Sequence, residues 1–311
     1  MPKIVLAGGS GFLGRHLATD LLGRGHDVVV LSRNPQPGGR VRQVDWDGAT
    51  IGPWQRELDG EDVRVVNLAG KLVDARPTSA NVAALRTSRV DATRILVEAA
   101  RGKDVTAWLQ ASTTAIWSDA GEARVTETTA LPTGKAALPQ MTGVAVPWER
   151  AIQDADTEKL SILRTSIVLA PDCPAVDRLV TLAKLGAGGT VGSGRQWFSW
   201  IHLTDWLAIA RAALGVGEFD LPSGVVAATG PNPVRNATLM RELRKLWAPS
   251  VLGYRLGVPT PSPLLRLGAR LIGTDPALAW TGRHVTSEVL AGRYEFEFPT
   301  LEGALWEIRS A

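Results

Sequence analysis

The chain has 311 residues, 45% hydrophobic and 21% charged, an ordinary balance for a globular protein and too apolar for a disordered one. Its formal charge is only +3, with Lys and Arg scattered among Asp and Glu, which argues against a nucleic-acid partner. No apolar run approaches a membrane span, the first residues lack the pattern of an export signal, and a single cysteine, Cys173, permits no internal disulfide, so the expectation is a cytoplasmic protein without membrane contact.

The first half alternates strand-like and helix-like segments. Ile4 to Ala7 is a short apolar strand that runs into Gly8-Gly9-Ser10-Gly11-Phe12-Leu13-Gly14, and helical periodicity follows over Arg15 to Leu22. Further strands are expected at Asp27–Leu31, Val41–Val44, Val63–Leu68, Val105–Ala111 and Leu160–Arg164. Helical patterns fall at Ala80–Ala100 and from near Pro139 through Pro147–Ala155. Repeated strand–helix units predict an α/β fold: a Rossmann, doubly wound parallel sheet with right-handed crossovers.

After Thr165 the pattern breaks up. Residues 186–194, rich in glycine, read as a flexible loop, and a helix at Thr204–Leu214 and a strand at Val225–Ala228 return to the sheet. Prolines 259, 261 and 263 precede a helical stretch, Leu264–Ile272. The expected organisation is a dinucleotide-binding domain over 1–165, rejoined by 203–235, with residues 166–311 forming a smaller, mostly helical substrate-binding and capping region.

A strand, a G-x-x-G-x-x-G turn and a helix direct backbone N–H groups and a helix N-terminus at a pyrophosphate. Gly8 would permit the tight turn, Gly11 would clear space for phosphate, and Gly14 would let helix and strand pack closely; Ser10, Gly9, Phe12 and Leu13 complete the loop. The second strand ends at Ser32-Arg33, where an arginine accommodates the 2′-phosphate of NADP(H), whereas an acidic residue would favour NAD(H). Asp45 and Trp46 follow the third strand, where an adenine is lined. Asn67, Leu68, Ala69 and Gly70 end the fourth strand beside the ribose and phosphates. His16, His26, His202 and His284 do not sit at metal-ligand spacing, so no metal is expected. Eleven tryptophans against two tyrosines read as packing or as an aromatic-lined pocket, to which Trp197 and Trp200 would contribute.

The chain resembles an extended short-chain dehydrogenase/reductase of the atypical branch of epimerase family proteins. The segments GGSGFLG at 8–14, SRNP at 32–35, NLAG at 67–70, SRVDATR at 88–94, GSGRQWFSWIH at 192–202, GPNPVRN at 230–236 and TGRHVTSEVL at 281–290 carry the likeness, nearly end to end. The resemblance implies NADP(H) binding, with Ser88, Ser166 and Ile167 near the cofactor and a small-molecule substrate. It leaves open a homodimer through helices 80–100 and 139–155. It also implies a Tyr-x-x-x-Lys pair in which the tyrosine transfers a proton while hydride moves on carbon. That pair is absent. The positions four beyond Tyr254 and Tyr294 are Val258 and Phe298, and alignment on Trp148-Glu149 puts Met141 and Ala145 where the pair would stand.

The Ser/Thr position survives in Ser112-Thr113-Thr114, with Thr113 aligning best. Trp117 stands where the branch has a tyrosine, and its indole N–H donates but is no acid near neutral pH. Asp119 is a candidate acid or base, with a turn cap as its plainer reading. Met141 and His202 are candidates for the substrate pocket with Arg76, Trp197 and Trp200; Glu149 reads more plainly as structural, His202 as a histidine packed at a domain junction, and Arg76, a candidate clamp for an acidic substrate, as a surface ion pair. Three functions follow: an NADP(H)-dependent oxidoreductase or epimerase with a different proton source, a non-catalytic NADP(H)-binding sensor or scaffold, or an isomerase or lyase that uses bound cofactor.

Overall fold

In the computed structural model, residues 1–73, 75–184, 189–248 and 277–311 are described. Seven parallel strands build the central sheet: β1 (Lys3–Ala7), β2 (Asp27–Ser32), β3 (Arg42–Asp45), β4 (Val63–Asn67), β5 (Val105–Thr113), β7 (Lys159–Thr165) and β11 (Gly224–Val226). Their spatial order is β11-β7-β5-β4-β1-β2-β3. The order reverses between β1 and β4, so the carboxyl ends of these two strands flank the crevice where such sheets bind ligands.

Alternation along β1 shows why helices must cover both faces. Ile4 and Leu6 pack with Leu17 and Leu21 of α1 (Phe12–Gly23) and Ile209 of α5 (Leu203–Ala213). Val5 and Ala7 pack with Leu96 and Val97 of α2 (Ser79–Ala100) and with Trp54 on the opposite face. A strand buried on both sides reads as a continuous apolar run.

Helix α3 (Thr142–Arg150) packs beside α2 and carries Pro147 in its interior. Proline lacks the N–H that would bond the carbonyl four residues earlier. That carbonyl, of Gly143, accepts from Arg86 Nε at 3.1 Å instead. The helix is also three residues later in starting, and shorter at its end, than its periodicity predicts, because residues 151–154 leave the helix as turns.

Three helices that the broken pattern after Thr165 conceals are α4 (Pro174–Lys184), α6 (Asn236–Trp247) and α8 (Leu301–Ser310). Val176, Leu239, Leu243, Leu301 and Leu305 belong to the same apolar cluster as Leu6 and Leu17. Short strand pairs tie the chain's second half together: β8 (Ile167–Leu169) with β10 (Trp200–His202), β9 (Trp197–Phe198) with β12 (Val234–Arg235), and β6 (Arg124–Val125) with β13 (His284–Val285). A short helix, α7 (Ala277–Trp280), precedes β13. The helical stretch expected at Leu264–Ile272, the prolines before it and Tyr254 lie outside the described residues, as does part of the glycine-rich loop. Among the described residues, no helix is long and apolar enough to cross a membrane.

A buried ion pair fixes α3 against the sheet. Arg164 of β7 donates through Nε and Nη2 to Glu149 at 2.9 and 2.8 Å, and Ser112 Oγ donates to the same carboxylate at 2.5 Å. Removing one partner leaves a desolvated charge. Glu149→Ala is expected to lower unfolding free energy by about 3–5 kcal/mol, read as a fall in the urea midpoint; a change under about 1 kcal/mol would show the pair to be dispensable.

Candidate functional site

The glycine turn closes β1 onto α1 by backbone contact. Gly8 has φ +80°, a left-handed conformation open to glycine, and a Cβ there would come within 2.7 Å of the Leu68–Ala69 backbone. At Gly14 a Cβ would lie 2.5 Å from the Gly8 carbonyl oxygen and 2.6 Å from Gly9 Cα. Gly11 is different. Its missing Cβ would meet only the Gly8 carbonyl oxygen, at 3.4 Å, so its outer face is open. Gly11 caps α1 with no side chain accepting from the first turn, whereas α2 and α8 are capped by Thr78 and Thr300. Ser10 and Gly11 are exposed, Phe12 and Leu13 half-buried. An uncapped N-terminus with an unobstructed approach suits an anionic group.

The neighbouring strand ends complete the crevice. Ser32 is buried and its Oγ accepts from Asn34 N–H at 3.3 Å. Arg33 is exposed, and no hydrogen bond or ion pair engages its side chain among the described residues. Asp45 is exposed at the end of β3, beside Ser32. The Trp46 ring does not line an open crevice as expected. It is 4% exposed and packs edge-on against Trp54, because its backbone N–H is drawn to Ser32 O and turns the ring into the core. Asn67 is likewise a builder of the turn. Its amide donates to Thr93 Oγ1 and Gln110 Oε1 at 2.9 and 3.0 Å, and its Oδ1 accepts from Ala69 N–H. Leu68 is half-buried and Gly70 exposed. Ser88 Oγ is a staple between Lys71 N–H and Leu85 O. Ser166 donates to Ala228 O, and Ile167 beside it is exposed.

At the end of β5, Thr113 Oγ1 accepts from Ala115 N–H at 3.1 Å, which leaves its own O–H to donate. Ser118 follows with φ +52°, a strained value for a residue with a Cβ. Its side chain is pinned by Thr142 Oγ1 at 2.6 Å and Leu138 N–H at 2.9 Å. Met141 is buried at the head of α3.

The sequence of the NAD dependent epimerase/dehydratase family matches residues 4–223. The chain belongs to this family. It is 32% identical over 313 residues to the epimerase family protein YfhF of Bacillus subtilis, covering 98% of this chain and 97% of that one. Mouse epimerase family protein SDR39U1 is 28% identical over 314 residues, covering 98% and 99%. The crystal structure of human SDR39U1 (isoform 2) with NADPH superposes with a TM-score of 0.78 at 27% identity, covering 100% of this chain and 99% of that one. MoeE5, solved with UDP-glucose and NAD, shares the fold with a TM-score of 0.73 at 21% identity, covering 99% and 97%.

The positions where the family's proton-transfer pair is expected carry apolar side chains. Met141 and Ala145 are buried, Ala145 among Ile116, Trp117 and Val285. Trp117 does not present its N–H to a ligand. Its ring is 2% exposed beneath the Arg164 guanidinium, and Nε1 donates to Thr129 O at 3.3 Å. Asp119 is a turn cap, as its plainer reading has it, because Oδ1 accepts from Gly282 and Gly121 N–H at 3.1 and 3.3 Å. His202 caps α5 through Nδ1 and meets Glu307 Oε2 at 3.0 Å through Nε2, at the junction with α8. Trp200 is core, 1% exposed, with its N–H given to Asn232 O. Trp197 is stacked between His284 and the Arg235 guanidinium rather than open to a ligand. Arg76 is exposed in the segment leading to α2. Tyr294 offers no substitute acid, since it donates to the buried Asp205 carboxylate at 2.7 Å, and burial pushes its pKa up. Cys173 is buried at the start of α4.

Two half-buried arginines escaped the sequence reading, although SRVDATR and TGRHVTSEVL contain them. Arg89 donates to Leu85 O and Lys71 O and lies over the Trp148 ring. Arg283 donates to Ser118 O and lies 3.7 Å from Met141 Sδ. Burial without a carboxylate partner pushes each guanidinium down to about 10. A cavity of about 510 Å³ near Arg124, Thr126 and Thr286 shares no residue with the glycine turn.

Gly11 separates binding from folding. Gly11→Asp adds a side chain into open space at a helix N-terminus, where a carboxylate is tolerated. The variant is expected to keep its melting temperature within about 4 °C and to lose NADPH quenching of tryptophan fluorescence; retained quenching would remove the phosphate from this turn.

Proposed function

We propose that this chain is an NADP(H)-dependent oxidoreductase or epimerase for a small molecule, working without the family tyrosine. The observation that carries the cofactor part is Arg33, an exposed guanidinium at the end of β2 with no side-chain partner among the described residues. It stands where a 2′-phosphate needs a cation. The relative solved with NADPH supports the same choice. The uncapped first turn of α1 would hold the pyrophosphate, with Gly11 giving it room.

NADPH, when bound, would supply a hydride from its nicotinamide C4. The chain's own contribution is to orient the substrate and exclude competing geometry. Thr113, whose O–H has no acceptor among the described residues, would hold the substrate oxygen at the carboxyl end of β5. Met141 and Ala145 have no proton to give, and the Trp117 N–H is committed to Thr129. The proton that balances hydride transfer to a carbonyl carbon would come from water or an acidic neighbour, and a slower chemical step would follow from losing a positioned acid, which contributes about 10²–10⁴-fold.

Two experiments test this reading. Arg33→Ala is expected to weaken NADPH binding about tenfold or more, the worth of a charge-assisted phosphate contact, while leaving NADH affinity unchanged; equal losses for both would withdraw the 2′-phosphate role. Incubation with 4-deuterated NADPH and carbonyl compounds should place deuterium on the product carbon, and exchange should fall in Thr113→Val. Tight NADPH binding with no deuterium transfer would favour a sensor or scaffold.

A further inference from the structure

The arginines of this chain that are buried or half-buried mostly meet a carboxylate. Arg164 has Glu149, Arg211 has Asp20 and Glu218, and Arg235 has Glu122. Arg283 has none among the described residues. Its Nη1 is held by the Ser118 carbonyl and lies 3.7 Å from Met141 Sδ, both uncharged. Asp119 is the acid whose field reaches it, and that carboxylate already accepts two backbone N–H groups.

The unused part of the guanidinium has a definite shape. Nε and Nη2 have no partner among the described residues, and neither is among the fully enclosed polar atoms left without one. These two N–H groups form one edge of the planar fork, the edge that grips a carboxylate with two parallel hydrogen bonds. Nη1 is fixed from the opposite side by Ser118, whose strained backbone is itself pinned by Thr142 and Leu138. The plane of the fork is thereby preset. Arg89 differs, because both its terminal nitrogens are committed to carbonyls and its face lies over Trp148.

We propose that Arg283 is a substrate anchor and that the small molecule bound beside Met141 carries a carboxylate, gripped through Nε–H and Nη2–H. This rests on the proposed function above, in which the chain takes a small-molecule substrate, and on the expectation that Met141 lines its pocket. A single guanidinium edge matches one carboxylate, and the neighbouring thioether suits an apolar body behind the charged end. An uncompensated, partly desolvated cation gains most from an anion that completes its hydrogen bonds.

The chain has only three methionines, Met1, Met141 and Met240, so ¹³C-methyl labelling gives a resolved reporter 3.7 Å from the fork, assigned with Met141→Leu. Acetate is the probe, acetamide its neutral isostere, and chloride the control for non-specific anions. Acetate is expected to shift the Met141 methyl signal saturably, with acetamide and chloride at least tenfold weaker. Arg283→Gln should raise the acetate Kd at least tenfold, and Arg283→Lys less, because the charge remains while the fork is lost. NADPH affinity within twofold of the parent shows that each variant is folded. Equal shifts with acetamide or chloride, or an acetate Kd unchanged in Arg283→Gln, would overturn the assignment. Failure of NADPH binding in the parent protein would instead overturn the cofactor reading, and the acetate titration, run with and without NADPH, is judged separately.

Discussion

The rest of the site depends on how closely backbone can approach backbone where β1 leaves the sheet. Gly8 lies against the Leu68–Ala69 peptide, and Gly14 lies against Gly8 and Gly9, both at separations that no Cβ would survive. These contacts bring the ends of β1 and β4 together and set the first turn of α1 beside them. Asn67 completes the joint from within, joining Thr93, Gln110 and the Ala69 amide through one buried side chain. A helix N-terminus left uncapped here is then aimed across the crevice at the sheet's switch point.

The second flank of the crevice is organised by charge. Glu149 and Arg164 join α3 to β7, with Ser112 and the Trp117 ring closing around them. This anchoring keeps α3 in place although two of its positions have lost proton-transfer chemistry. The losses are consistent with one another: Met141 and Ala145 are both apolar, and Ala145 lies in an apolar cluster. Thr113 and Arg283 keep polar groups without a full set of partners among the described residues, which suits orienting a molecule rather than supplying its proton.

Residues singled out by type were mostly diverted by local partners. Asp119 caps a turn, His202 caps a helix and meets Glu307, and Trp197 is stacked between an arginine and a histidine. Each has chemistry suited to catalysis, and each is already engaged by a neighbour distant in sequence. Arg283 was overlooked for the converse reason. Nothing in TGRHVTSEVL says that its guanidinium will find a carbonyl and a thioether instead of an acid.

The sequence by itself determined the parallel sheet, the glycine turn and the arginine at the end of β2, because these follow from short-range rules: strand and helix periods, glycine spacing and the position after a strand. It also determined that no Tyr-x-x-x-Lys pair exists, which needs only the order of residues. It did not reveal α4, α6 and α8, whose apolar faces become legible only once they share a core with the sheet. Tertiary structure alone decided which polar groups are spent and which are free. That outcome depends on contacts between residues tens to more than a hundred positions apart, such as Ser118 with Arg283 and Glu149 with Ser112, and no local pattern encodes whether a side chain will meet its complement.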